Sequence, residues 1–112
     1  MTGVIYKIAP AALWRAAEAQ GQFSGSPVDV ADGFIHFSTA VQARETAARH
    51  FAGASELVLV AVSTRGLNLR WEPSRGGDLF PHLYAALPLT AVQWVKPLPL
   101  GVDGRHVFPA LD

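Results

Sequence analysis

Cysteine is absent from this 112-residue chain, which excludes thiol catalysis, thiolate metal sites and disulfides, and fits a reducing cytoplasm. Charge is scarce. Only 16% of residues are charged, and the nine basic and nine acidic side chains cancel. That leaves no strongly cationic face, so nucleic acid is not an expected partner. Long apolar runs are missing as well: the longest, LVLVAV at 57–62, falls far short of the ~20 residues that a membrane-spanning helix needs. The opening MTGVIYKIAP has neither the charged start nor the apolar core of a secretory signal. The chain also lacks a phosphate-loop lysine motif, a GxGxxG dinucleotide fingerprint, an HExxH metal helix and a GxSxG nucleophile elbow. These absences predict a soluble cytoplasmic protein without membrane association and with no familiar catalytic signature.

Half of the residues are hydrophobic, enough for an ordinary core without staples, and the length suits one domain spanning 1–112. Residues 4–8 read as a strand, and Pro10 suits the first turn of a helix that runs to Gly21, with Leu13, Trp14 and Ala17 as its apolar stripe. QFSGSPVDVADG reads as a loop leading to a strand at 34–38. A helix is expected over 39–51, where Thr39 and Gln42 have the spacing of a capping box. Residues 57–62 read as a strand buried on both faces. LNLRWE alternates, with Leu67, Leu69 and Trp71 on a dry face and Asn68, Arg70 and Glu72 opposite. PSRGGD reads as a mobile or specially shaped loop in which Arg75 is a candidate phosphate contact. Residues 90–95 read as a last strand ended by prolines, and the Asp103–Gly104 turn signal suggests a small hairpin arm over 102–108. Two early helices followed by several strands favour an α+β fold. Trp71 and Trp94 are expected in the core, or as the wall of a pocket.

Polar residues that interrupt apolar sequence mark the candidate site. In DGFIHFST, at 32–39, strand alternation points Phe34, His36 and Ser38 one way and Ile35 and Phe37 the other, just where a helix must satisfy its first free amides. Ser38 and Thr39 are helix-capping or ligand groups. His36 is read as a ligand contact, or as a histidine bonded to backbone or to Glu72, or less readily as a metal ligand. Arg70 and Glu72 share one face of LRWE, either as a surface ion pair or as ligand groups, and His82 and Tyr84 share a face if PHLY is extended. Lys7 is read as a solvated strand residue or a phosphate contact. Convergence of these groups would suit an anionic or polyhydroxylated small molecule. His50 and His106 are assigned no role.

DGFIHFST, followed by LRWE and FPHLYAALPL, resembles the uncharacterised bacterial family known as domain of unknown function 952, along nearly the whole chain. That family is similar to the ADP-ribosyltransferase-like fold, so the resemblance implies two small, mostly antiparallel sheets forming a cleft, with two main helices, and NAD as a possible cofactor. It implies Lys7 at or near the first position of the transferase scheme, Ser38 and Thr39 at the second and Glu72 as the glutamate. On this reading Glu72, His36 and His82 are catalytic candidates, and Lys7, Phe34, Ser38, Thr39, Arg70 and Tyr84 bind a nucleotide-like or phosphorylated ligand. The alternatives are a metabolite-binding module without catalysis and a metal-assisted hydrolase built on His36, His82 and Glu72. An interaction protein with no small-molecule pocket is the remaining class.

Overall fold

The computed structural model describes residues 3–111, apart from the side chain of Arg75. The expected phosphate contact of Arg75, and any reading of Met1 and Thr2, lie outside the described residues. The chain runs β1 (Val4–Pro10), α1 (Ala11–Gln20), β2 (Gln22–Phe23), α2 (Pro27–Asp32), β3 (Ile35–His36), α3 (Ala40–His50), β4 (Leu57–Ser63), β5 (Leu69–Ser74), β6 (Asp78–Leu83), β7 (Leu87–Pro88) and β8 (Val92–Pro97). The fold is a mixed α/β domain with antiparallel sheets and three helices.

The first sheet has the order β1-β4-β8. β4 lies at its centre because its apolar run can be buried on both faces: Leu59, Val60, Ala61 and Val62 are inaccessible to solvent. Each fully buried valine or leucine contributes about 1.5–3 kcal/mol. One face of this sheet carries Ile5, Ala9, Val60 and Val62 against Trp14 and Ala17 of α1. The other carries Tyr6, Ile8, Leu59 and Ala61 against Ala47 of α3. Ala43 and Ala47 are the buried residues of α3, and their small side chains let the helix lie close to the strands. The expected capping box is present: Thr39 accepts from the Gln42 amide, and Gln42 Oε1 accepts from the Thr39 amide at 3.0 Å.

A second sheet has the order β3-β6-β5, and β2 pairs with β7 in a third. Residues 37 and 38 join the first two sheets. Ser38 exchanges two backbone hydrogen bonds with Tyr6, at 2.8 and 2.9 Å, while the Phe37 amide donates to the Pro81 carbonyl at 3.1 Å. Chain pairing at this seam brings β1, α2, β3, α3 and β6 around one hollow.

Several expectations need correction. The supposed loop before Phe34 contains α2, begun by Ser26 with Pro27 at its first turn and ended by Gly33 at φ 88°. The regular part of the strand expected at 34–38 is only Ile35–His36. PSRGGD takes the special shape expected of it but is shorter, since Pro73 and Ser74 remain in β5 and Gly76 and Gly77, at φ 68° and 93°, make a tight return into β6. The face of LNLRWE expected to be dry is only partly so, because Trp71 is 47% exposed and outside the core. Trp94 is half-buried and packs on the second core cluster. Residues 89–91 form a single helical turn, so the last strand starts at Val92. The expected tail hairpin reduces to a bridge between Leu100 and His106 around the Asp103–Gly104 turn.

Candidate functional site

The hollow at the seam is a cleft of about 600 Å³ lined by side chains of β1, α2, β3, α3 and β6, among them Lys7, Asp29, Asp32, His36, Ser38, Thr46, His50 and His82. That volume falls in the range of small-molecule sites. Tyr6, Ile8, Pro27, Val28, Phe51 and Phe80 supply apolar wall.

Asp29 organises this cleft. It is 1% exposed, and both carboxylate oxygens are fully used. Oδ2 lies 2.9 Å from Lys7 Nζ and accepts from the Ser26 amide at 2.9 Å and the Ser26 hydroxyl at 3.0 Å. Oδ1 accepts from Lys7 Nζ at 3.1 Å and from the His36 amide at 3.1 Å, and lies 2.6 Å from His36 Nδ1. Burial alone would raise its pKa, but the His36 hydrogen bond, the Lys7 charge and the Ser26 amide outweigh it and hold the carboxyl well below its ordinary range. Lys7 is 5% exposed, so the expected solvated lysine is a buried one. Burial pulls its ammonium below the usual value, with Asp29 opposing that pull. Its third donor goes to the His36 carbonyl at 3.0 Å.

His36 stands between two carboxylates, with Nδ1 on Asp29 and Nε2 3.0 Å from Asp32 Oδ2. Each ring nitrogen therefore faces a carboxylate oxygen. Its expected partner Glu72 belongs instead to His82: His82 Nδ1 lies 2.7 Å from Glu72 Oε1, and the Tyr84 hydroxyl donates to the same oxygen at 2.7 Å. These bonds, His82 first and Tyr84 second, hold Glu72 below the ordinary carboxylate range. The bond to Glu72 also raises the Tyr84 phenol. Arg70 lies over the Tyr84 ring, 5.0 Å from its centroid. Phe34 fills the angle between the histidines, stacked on His82 at 4.1 Å and 4.5 Å from the His36 ring, with Tyr84 at 5.1 Å. The two imidazole centroids are 5.5 Å apart.

The expected residues thus separate into three places. Lys7, His36, Ser38 and His82 line the cleft. Phe34, Arg70, Glu72 and Tyr84 form a cluster in contact with His82 or with one another, outside the lining. Thr39 faces a shallow depression shared with Trp71. Ser38 Oγ is 2.8 Å from Thr46 Oγ1, which donates to the Gln42 carbonyl at 3.1 Å, so the Ser38 proton is directed to Thr46. Among the described residues no group of three or more His, Asp and Glu has the arrangement to hold a metal ion. His36, His82 and Glu72 therefore do not make the ligand set that a metal-assisted hydrolase requires. Asp29, Asp32, Thr46 and His50 were not foreseen. The signal for Asp29 was present: Ser26-Pro27-Val28-Asp29 has capping-box spacing with proline at the first helical position. The Ser26 amide donates to the Asp29 carboxylate, as that spacing implies.

Fold and site define a small α+β protein in which two carboxylate-held histidines line one cleft. Residues 8–95 match the family described as "Protein of unknown function (DUF952)", and the chain belongs to that family. A crystal structure of protein CC0527 from Caulobacter crescentus is 52% identical, covers 93% of each chain and superposes with a TM-score of 0.88. The solution NMR structure of CC0527 is 53% identical over 91% of this chain and 90% of that one, with a TM-score of 0.82. No curated protein matches the chain. Neither the family description nor these structures supports the ADP-ribosyltransferase-like resemblance. Among the described residues no helix is long and apolar enough to cross a membrane.

Proposed function

We propose that the cleft binds a small molecule with a largely apolar body and that His82 carries a proton to or from it. The observation that carries this reading is His82, on the wall of a cleft of about 600 Å³, held at Nδ1 by Glu72 2.7 Å away, behind the lining. A carboxylate on Nδ1 fixes the ring and its tautomer and leaves the opposite nitrogen for proton transfer. The His36–Asp29 pair supplies a second oriented imidazole close by. Ser38 is set aside as the nucleophile, because its proton is turned toward Thr46. Any attacking group then comes from water or from the ligand itself.

ADP-ribosyl transfer fits this arrangement less well. Glu72 lies outside the cleft lining with Oε1 bonded twice, and the Lys7 charge is met by Asp29. NAD or another nucleotide-like molecule stays a candidate for the apolar walls. A second reading, binding without turnover, draws on the contact between His36 Nε2 and Asp32, which occupies that imidazole on both sides.

Calorimetry with NAD, ADP-ribose and nicotinamide, followed by a product assay, separates these readings. Saturable binding with product formation that His82→Asn abolishes supports catalysis. Binding that survives His82→Asn, with no product from either protein, supports the sensor. Binding that survives disruption of the cleft would remove both.

A further inference from the structure

Among the described residues β5 pairs with β6 alone, in the order β3-β6-β5, so its outer edge is open. Its neighbour reveals which backbone groups face outward. The Pro81 carbonyl accepts from the Phe37 amide at 3.1 Å and the Leu79 carbonyl accepts from Gln42 Nε2 at 2.8 Å, so both residues direct their backbone away from β5. Trp71 and Pro73 stand opposite them in register. In an antiparallel ladder such pairs exchange no hydrogen bonds, and Trp71, with Leu69 and Pro73 two residues to either side, turns its backbone to the open edge. Pro73 therefore has its missing N–H where the ladder does not need it. Trp71 is 47% exposed and Leu79 52%.

Exposed edges are ordinarily protected by charge or proline. Here the charges are Arg70 and Glu72, opposite in sign and symmetric about Trp71. We infer that β5 pairs antiparallel with β5 of a second copy of this chain, about a two-fold axis at Trp71. The two three-stranded sheets become one six-stranded sheet. Each Trp71 amide donates to the partner's Trp71 carbonyl, and each Leu69 amide donates to the partner's Pro73 carbonyl. Arg70 then stands directly opposite the partner's Glu72, a close pair of opposite charge repeated twice by symmetry. The exposed Trp71 side chains meet on the other face. The second copy also brings a guanidinium beside Glu72, the carboxylate that holds His82, so the dimer completes the electrostatic surroundings of that pair. The dimer requires no ligand.

Sedimentation velocity across a concentration series tests it. Wild-type protein is expected to form a dimer. Arg70→Glu sets like charges against each other twice and should weaken the dimer on the order of a hundredfold or more. Arg70 is exposed, and circular dichroism checks that this variant stays folded. Glu72→Arg should likewise be monomeric, and an equimolar mixture of the two variants should recover the dimer through restored charge pairs. A wild-type protein monomeric at high concentration, or an Arg70→Glu variant that dimerises as strongly as wild type, would overturn the inference. Should Glu72→Arg lose its fold with its bonds to His82 and Tyr84, the comparison of wild type with Arg70→Glu still decides the matter.

Discussion

Lys7 and Asp29, 22 positions apart in sequence, meet at 2.9 Å with 5% and 1% of their side chains exposed. This pair ties β1 to α2, and through the His36 amide and ring it ties both to β3. The wall of the cleft is therefore held by one carboxylate. An ion pair this deep is justified by its complete hydrogen bonding rather than by Coulomb attraction alone.

Removing Asp29 leaves an uncompensated ammonium in the interior. Asp29→Ala should cost about 3–5 kcal/mol in urea unfolding. Lys7→Met with Asp29→Ala in the same chain should be less destabilised than the two single losses added together. Additivity would show that the pair is not coupled.

The lowered pKa of Asp29 fixes a pH dependence. A carboxyl whose folded value lies below its unfolded value contributes stability fully present above about pH 3.9, the unfolded range. That contribution is lost as the pH falls below this range and through the depressed folded value. Acid unfolding of wild type should therefore be steeper than that of Asp29→Asn, because the asparagine has no proton to take up.

Gly25 lies beside this network at φ +115°, and a Cβ there would come within 2.9 Å of the Asp29 Cβ. Gly25→Ala should destabilise the protein by about 1–3 kcal/mol, through backbone strain and displacement of Asp29. Thermal unfolding reads the loss, and the His36 ring resonances should move with it.

Tyr84 reports on the Glu72 pair. Its phenol is raised because its hydroxyl donates to Glu72, so ultraviolet titration should find it ionising above the usual value of about 10. Glu72→Gln should bring that ionisation back toward the ordinary value, with Tyr84→Phe identifying the signal against Tyr6. An unchanged titration in Glu72→Gln would show that the carboxylate does not hold the phenol.

Much of this architecture is legible in the residues. The capping box of Thr39 and Gln42, the buried strand through 57–62 and the shared face of His82 and Tyr84 each follow from local periodicity or spacing, which tertiary context does not override here. The Asp29 network was not legible. Glycine and serine around Ser26 carry a turn signature, and a helix of six residues has too little periodicity to compete with it. Without Asp29, the buried position of Lys7 had no visible compensation, and the carboxylates that hold His36 were not among the partners read for it. Trp71 alternates correctly with its neighbours, yet its strand lies at a sheet edge, and edge position is a property of topology rather than of local pattern.

The proposed function has the cleft between α2 and β6 receive a small molecule at His82. Crystals soaked with a panel that includes NAD, ADP-ribose and nicotinamide test it most directly. Ligand density is expected inside the cleft, within hydrogen-bonding distance of the ring edge of His82 opposite Glu72. Ligand density confined to other surfaces, with the walls around His36 and His82 untouched, would contradict it.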